Sequence, residues 1–178
     1  MGTGTIDGFD PHVFASGNPY ADIMFLGEAP GADEVVRRIP LIGRAGQFFE
    51  NNILGPAGLD RNHVYILCRP KKNRTPFLGE IEECLEHLDT QILLVSPKLI
   101  VALGSTPLYA SCDIQGITKA RGKLVWSRQW SDGRKVPVFP MFHPAYCLRN
   151  SGLKETRQDV ITLTDLAKDI AAGKEISP

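Results

Sequence analysis

Ala21-Asp-Ile-Met-Phe-Leu26 followed by Gly27-Glu-Ala-Pro-Gly-Ala-Asp-Glu34 is the stretch on which the fold turns: a short apolar run, a glycine stop, then a polar segment stiffened by proline. An unbroken apolar run too short for a helix reads as a strand buried on both faces. The same grammar recurs three times. Val64-Tyr-Ile-Leu-Cys68 is stopped by Arg69-Pro70, Leu99-Ile-Val-Ala-Leu103 by Gly104, and Val136-Pro-Val-Phe-Pro-Met-Phe142 by His143-Pro144. Two prolines place the last run at an edge or end, because each removes a ladder donor. Helical patterns lie between. Over Gly79 to Val95, Ile81, Cys84, Leu85, Leu88, Ile92 and Val95 fall on one stripe and predict a single amphipathic helix. Arg44 to Leu54 and Glu155 to Ala171 read as helices too, the latter through Val160, Leu163, Leu166, Ala167 and Ile170. Trp126 to Gly133 reads as a hairpin or loop excursion. The alternation predicts an α/β fold, a three-layer αβα sandwich with a central four-stranded parallel sheet.

Composition bounds the rest. A chain of 178 residues suits a single domain over 1–178, with the Gly-rich residues 1–12 as a flexible lead. Apolar content of 43% and charged content of 22% exclude disorder, coiled coil and collagen. No run has the length of a membrane span and none has a signal-peptide layout, so a cytoplasmic protein with no membrane partner is the expectation. Cys68, Cys84, Cys112 and Cys147 include no Cys-x-x-Cys pair, and buried thiols are expected rather than disulfides.

In a sheet of this kind ligands bind beyond the carboxyl ends of the strands. The segments there are Gly27 to Glu34, Arg69-Pro-Lys-Lys-Asn-Arg74 and His143-Pro-Ala-Tyr-Cys-Leu-Arg149. Twenty basic residues balance twenty acidic ones, which excludes bulk basic attraction to nucleic acid. Position matters more than the sum. Arg61, Arg69, Lys71, Lys72 and Arg74 stand without an acid among them, and Lys119, Arg121, Lys123, Arg128, Arg134, Lys135 and Arg149 meet only Asp132. The acids gather on a helix at Glu80, Glu82, Glu83, Glu86 and Asp89. Basic loops beside a cleft suit a phosphate backbone, so DNA or RNA is the expected partner. Each cluster alone reads as a solvated surface; their convergence on one edge favours nucleic acid.

Gly27-Glu-Ala-Pro-Gly-Ala-Asp-Glu34, Pro40-Leu-Ile-Gly-Arg-Ala-Gly46, Cys68-Arg-Pro-Lys-Lys-Asn-Arg-Thr-Pro76 and His143 to Arg149, in that order, resemble the uracil-DNA glycosylase superfamily, most nearly its family 4. The resemblance runs from about Val13 to Leu166. It implies a monofunctional, monomeric DNA glycosylase that flips a base and hydrolyses its bond to deoxyribose. By resemblance His143 donates to the base oxygen where charge develops, while Glu28, with Glu34, orients water and offsets the sugar cation. Gly27, Ala29, Pro30, Gly31, Leu41 and Asn73 would form the base pocket. Arg44, Arg69, Lys71, Lys72, Arg74, Pro144 and Arg149 would contact DNA, with Leu148 filling the gap left by the base. Singly, these residues also suit ordinary loops: a His before Pro, or a Glu in a turn.

Three departures alter the expectation. The family's iron–sulfur cluster uses four cysteines, but only Cys68 and Cys84 stand at matching positions, and Met1 to Tyr20 contains none. No metal or cofactor is therefore expected. The amide reader that the family places before Cys-Arg-Pro is absent, since Val64 to Leu67 runs directly into Cys68. Leu41 replaces the aromatic residue that stacks on uracil. Losing both weakens uracil selection and points to a bulkier modified pyrimidine, such as hydroxymethyl- or glucosyl-cytosine of phage DNA, and so to phage defence. The alternatives are an ordinary uracil-DNA glycosylase in base excision repair, and a non-catalytic module that binds abasic or damaged DNA.

Overall fold

The computed structural model describes residues 15–62, 64–68, 77–149 and 152–178. Among these, in chain order, the strands are β1 (Ala15–Gly17), β2 (Ile23–Gly27), β3 (Val64–Cys68), β4 (Leu99–Leu103), β5 (Val125–Trp126) and β6 (Pro137–Met141). They form one sheet in the order β1-β3-β2-β4-β6-β5. The four central strands run parallel, as the apolar runs predict, and the short β1 and β5 close the two edges in antiparallel register. From β2 the chain crosses outward to β3, then returns past β2 to β4. The direction of winding therefore reverses between β2 and β4, which opens a crevice beyond their carboxyl ends.

Side-chain alternation builds the layers. Ile23 and Phe25 of β2 share one face with Val101 of β4 and Phe139 of β6. Met24 and Leu26 point the other way with Ile100, Ala102 and Val138. The first face is covered by α2 (Arg44–Phe49), which continues through a π-helical turn Glu50–Leu54, and by α8 (Leu153–Ala171). Phe49 meets Phe25 edge-on, with ring centroids 4.9 Å apart. The second face is covered by α3 (Leu78–Glu83), α4 (Leu85–Val95) and α5 (Ser105–Cys112). Three further helices, α1 (Ala32–Arg37), α6 (Ile117–Ala120) and α7 (Pro144–Arg149), stand around the crevice. No helix among the described residues is long and apolar enough to cross a membrane.

Three expectations need correction. The helix over 79–95 is two helices, because Cys84 at φ −91°, ψ −4° closes a tight turn in which its N–H bonds the Ile81 carbonyl at 3.1 Å. The apolar stripe survives the break, since Ile81, Leu88, Ile92 and Val95 all remain buried. β6 is not an edge strand; it lies between β4 and β5. Its Pro140 is tolerated because the Pro140 carbonyl takes the Gly122 N–H at 2.9 Å. In a strand N–H and C=O of one residue share a side, so the missing donor faces Gly122 and the β4 ladder loses nothing. Finally, the segment after His143 is not a loop but α7, opened by Pro144 at the first helical position, where proline's lack of an N–H costs nothing. The lead at residues 1–12 lies outside the described residues.

Candidate active site

The carboxyl ends of β2, β4 and β6 meet at a cleft of about 870 Å³. Glu28 enters it directly from β2, half-buried. One Glu28 oxygen accepts a bond from Thr106 Oγ1 at 3.2 Å, and Thr106 is itself buried in the first turn of α5. His143 enters from the end of β6. Its carbonyl accepts the N–H of Tyr146 at 2.9 Å, and its Nδ1 accepts the N–H of Ala145 at 3.1 Å. His143 is thus the N-cap of α7, a side-chain acceptor meeting an otherwise unpaired helix donor. With Nδ1 placed to accept this N–H, the ring's donor position is Nε2. Gly104, at φ 105°, lets the β4–α5 turn approach: a Cβ there would lie 3.3 Å from the His143 Cβ.

Behind His143 the Phe142 ring is held on two sides. Tyr146 packs on it at 4.8 Å between centroids, and the Arg121 guanidinium stands 5.2 Å from its centre. Arg121 is anchored in turn by Asp159 of α8, at 2.9 and 2.5 Å, and by the Glu155 carbonyl at 2.8 Å. Burial pushes the Asp159 carboxyl up, and the hydrogen bonds and charge of Arg121 pull it back only in part.

The opposite wall is the segment from Pro40 to Gly46. Leu41 sits there in the left-handed conformation, φ 53°, which costs an L-residue about 1–2 kcal/mol. Glu34 accepts the N–H groups of Ile42 at 3.0 Å and Gly43 at 2.8 Å through one carboxylate oxygen. Arg61 donates to the Pro40 carbonyl at 3.0 Å and also to the Leu41 carbonyl. A Cβ at Gly46 would overlap the Leu41 carbonyl, so only glycine admits this approach.

The structure brings Glu28, Ala29, Pro30, Gly31, Glu34, Leu41, Arg44, His143, Leu148 and Arg149 to this one cleft. Gly27 ends β2 and is buried beneath it, and Pro144 is buried in the first turn of α7. Glu34 is buried and holds backbone amides, a task different from the water-orienting role expected for it. Asn73, Arg69, Lys71, Lys72, Arg74 and the Cys68 side chain lie outside the described residues. Thr106, Thr118, Phe142 and Tyr146 also line the cleft and were not foreseen. The signal for Thr106 was available: Leu103-Gly-Ser-Thr106 repeats the strand, glycine, polar-turn order of the opening stretch.

The charge map also changes. Arg61, Arg121 and Arg134 are engaged within the protein, with Glu50, Asp159 and Asp132 respectively, and Arg128 donates to the Tyr109 carbonyl at 3.1 Å. Fewer basic side chains are offered outward than their number suggests, whereas Arg44 and Arg149 are exposed at the cleft. The acids of α3 and α4 are partly structural too, since Asp89 accepts the Ser131 N–H at 2.9 Å and its hydroxyl at 2.5 Å.

Of the four cysteines, only Cys68 and Cys84 stand at the positions that resemble the family's cluster ligands, and the Cys68 side chain lies outside the described residues. Among the described residues no group of three or more His, Cys, Asp or Glu is placed to hold a metal. Burial pushes the Cys112 thiol up to about 11 and also raises Cys147, whose sulfur lies 3.0 Å from the Thr156 hydroxyl.

Residues 14–167 match the family model of the uracil DNA glycosylase superfamily. The chain is 40% identical over 157 residues to a Type-4 uracil-DNA glycosylase of Sulfurisphaera tokodaii, covering 83% of this chain and 70% of that one. Identity to the Type-4 uracil-DNA glycosylase of Thermotoga maritima is 40% over 162 residues, covering 88% and 80%. A DNA polymerase of Bacillus phage SP01 is 29% identical over 168 residues, covering 91% of this chain and 17% of the polymerase. With a match this long, and with the Glu28 and His143 segments meeting at the switch point of the sheet, the chain belongs to the uracil DNA glycosylase superfamily and is a DNA glycosylase.

Proposed function

We propose that the protein releases a flipped pyrimidine bulkier than uracil from DNA, by hydrolysis of its N-glycosidic bond, and leaves an abasic site. The observation that carries this reading is the pairing of Glu28 and His143 across a cleft whose opposite wall is the aliphatic Leu41. Breaking the glycosidic bond leaves positive charge on the sugar and negative charge on the base. The Nε2–H of His143 meets the base anion as a neutral donor, which stabilises charge without having to protonate it. Glu28, steadied by Thr106, offsets the sugar cation and orients water. Arg44 and Arg149 take phosphates, and Leu148, exposed at the end of α7, enters the stack in place of the base.

A cleft of about 870 Å³ falls within the ~300–1,000 Å³ typical of sites for drug-sized ligands, which leaves room for a substituted base. Substituted pyrimidines of phage genomes, hydroxymethyl- or glucosyl-cytosine, are the class that fits, and the role would be defence against such phages. On this reading the protein works without an iron–sulfur cluster, since only Cys68 and Cys84 of its four cysteines stand at the positions that resemble the family's cluster ligands.

Purified protein incubated with phage DNA carrying these bases is expected to produce abasic sites, with much less release from uracil-containing DNA, and to show no cluster absorbance in the visible range. Efficient uracil release with no action on modified DNA would favour the second reading, an ordinary uracil-DNA glycosylase, which the 40% identity to Type-4 enzymes supports.

A further inference from the structure

We propose that Arg61 is a positioning residue for base selection, fixing the Pro40 and Leu41 carbonyls so that Leu41 stands as a rigid wall of the cleft. By sequence Arg61 belongs to a basic cluster suited to phosphate. In the fold its fork turns inward. Nη1 donates to the Pro40 carbonyl at 3.0 Å, Nη2 to the Leu41 carbonyl, and Nε to Glu50 at 2.5 Å. Its side chain is only 25% exposed, so little of the guanidinium is left to meet DNA.

The segment needs such a hold. A leucine at φ 53° does not stay left-handed by its own preference. The amide edge is pinned by Glu34, which takes Ile42 and Gly43, and the carbonyl edge is pinned by Arg61. The Leu41 side chain is 4% exposed and yet lines the cleft, so its position is set by its backbone and not by the ligand. A wall fixed in this way selects by shape before the base arrives, whereas a loose one adapts to several bases. Arg61 reaches the reaction only through Leu41. The activity part of this inference rests on the glycosylase reading; the backbone part does not.

The test compares the full-length wild type with Arg61→Met and Arg61→Lys. Amide hydrogen exchange at Ile42 and Gly43 is expected to quicken about tenfold or more in Arg61→Met, while β2 and β4 amides keep their protection. The ratio of kcat/KM between modified-cytosine and uracil duplexes should narrow by about tenfold. Arg61→Lys keeps the charge but cannot span both carbonyls, so it should restore neither property fully. Unchanged exchange in a folded Arg61→Met overturns the proposal. So does quicker exchange with an unchanged ratio, and so does an equal loss on both duplexes with a shallower salt dependence of DNA binding, the mark of a phosphate contact. If the wild type cuts neither duplex, the functional reading fails, and the exchange rates alone decide the role of Arg61.

Discussion

His143→Ala is expected to lower base release by about 10²–10³-fold while leaving affinity for abasic-site DNA within about twofold of wild type, because the lost group is a donor to charge that exists only in the transition state. The direction follows from the cap of α7. The Ala145 N–H occupies Nδ1 at 3.1 Å, which commits Nε2 to be the donor. The Gly104 turn passes close to His143, where an added Cβ would lie 3.3 Å from the His143 Cβ. On the proposed mechanism the donor is therefore preorganised before charge develops. Removing the ring also removes the cap, at a cost of about 1 kcal/mol to α7. His143→Asn separates the two effects, since asparagine caps well but its shorter amide cannot replace the Nε2–H. Single-turnover release of base from duplex oligonucleotides, alongside titration of abasic DNA, measures both quantities. A His143→Ala protein that cuts at the wild-type rate would sink the assignment. Equal loss of binding and release would instead place His143 in the DNA contact.

The sheet was legible because parallel strands buried on both faces leave unbroken apolar runs bounded by glycine or proline, as at Leu99 to Gly104. The segments carrying the site's two principal residues were legible for a related reason, since each follows such a run, while Glu28 and His143 within them were singled out by the family resemblance. What supports them was not. Thr106 could be placed at the carboxyl edge by its strand–glycine–turn order, but its bond to Glu28, 78 positions away, follows from no local pattern. Arg61 and Arg121 look like surface cations in the chain, because a charge count carries no information on which way a side chain turns. The break at Cys84 is equally hidden: the apolar stripe continues through it, and it is the backbone that departs from the helix. Residues at the carboxyl edge could be found from strand ends, while residues acting from behind them needed the packed structure.

Asp159→Ala is expected to destabilise the fold by about 2–3 kcal/mol, below the ~3–5 kcal/mol for breaking a fully buried pair, because the Arg121 side chain keeps some access to water. Asp159 is 2% exposed and Arg121 is 18% exposed. For a chain of 178 residues this corresponds to a fall in Tm of roughly 5–10 °C. The loss does not come from net charge stabilisation. Burial raises the Asp159 carboxyl above its usual range, so its ionisation takes stability away as pH rises through that range. The cost of Asp159→Ala is instead that of an Arg121 left half-buried without its partner, and of a gap beside Gly122, whose added Cβ would lie 2.7 Å from an Asp159 oxygen. Two checks separate these contributions. The double variant Arg121→Met with Asp159→Ala should lose less than the sum of the single losses, since no charge is orphaned. The advantage of wild type over Asp159→Asn should shrink from acid towards neutral pH, because only the wild-type residue ionises. On the proposed mechanism the same pair acts on catalysis at one remove, since Arg121 lies on Phe142 and Phe142 precedes His143. Base release by Asp159→Ala, assayed well below its Tm, should therefore fall several-fold with DNA affinity retained, and a wild-type rate there would confine the pair to stability alone.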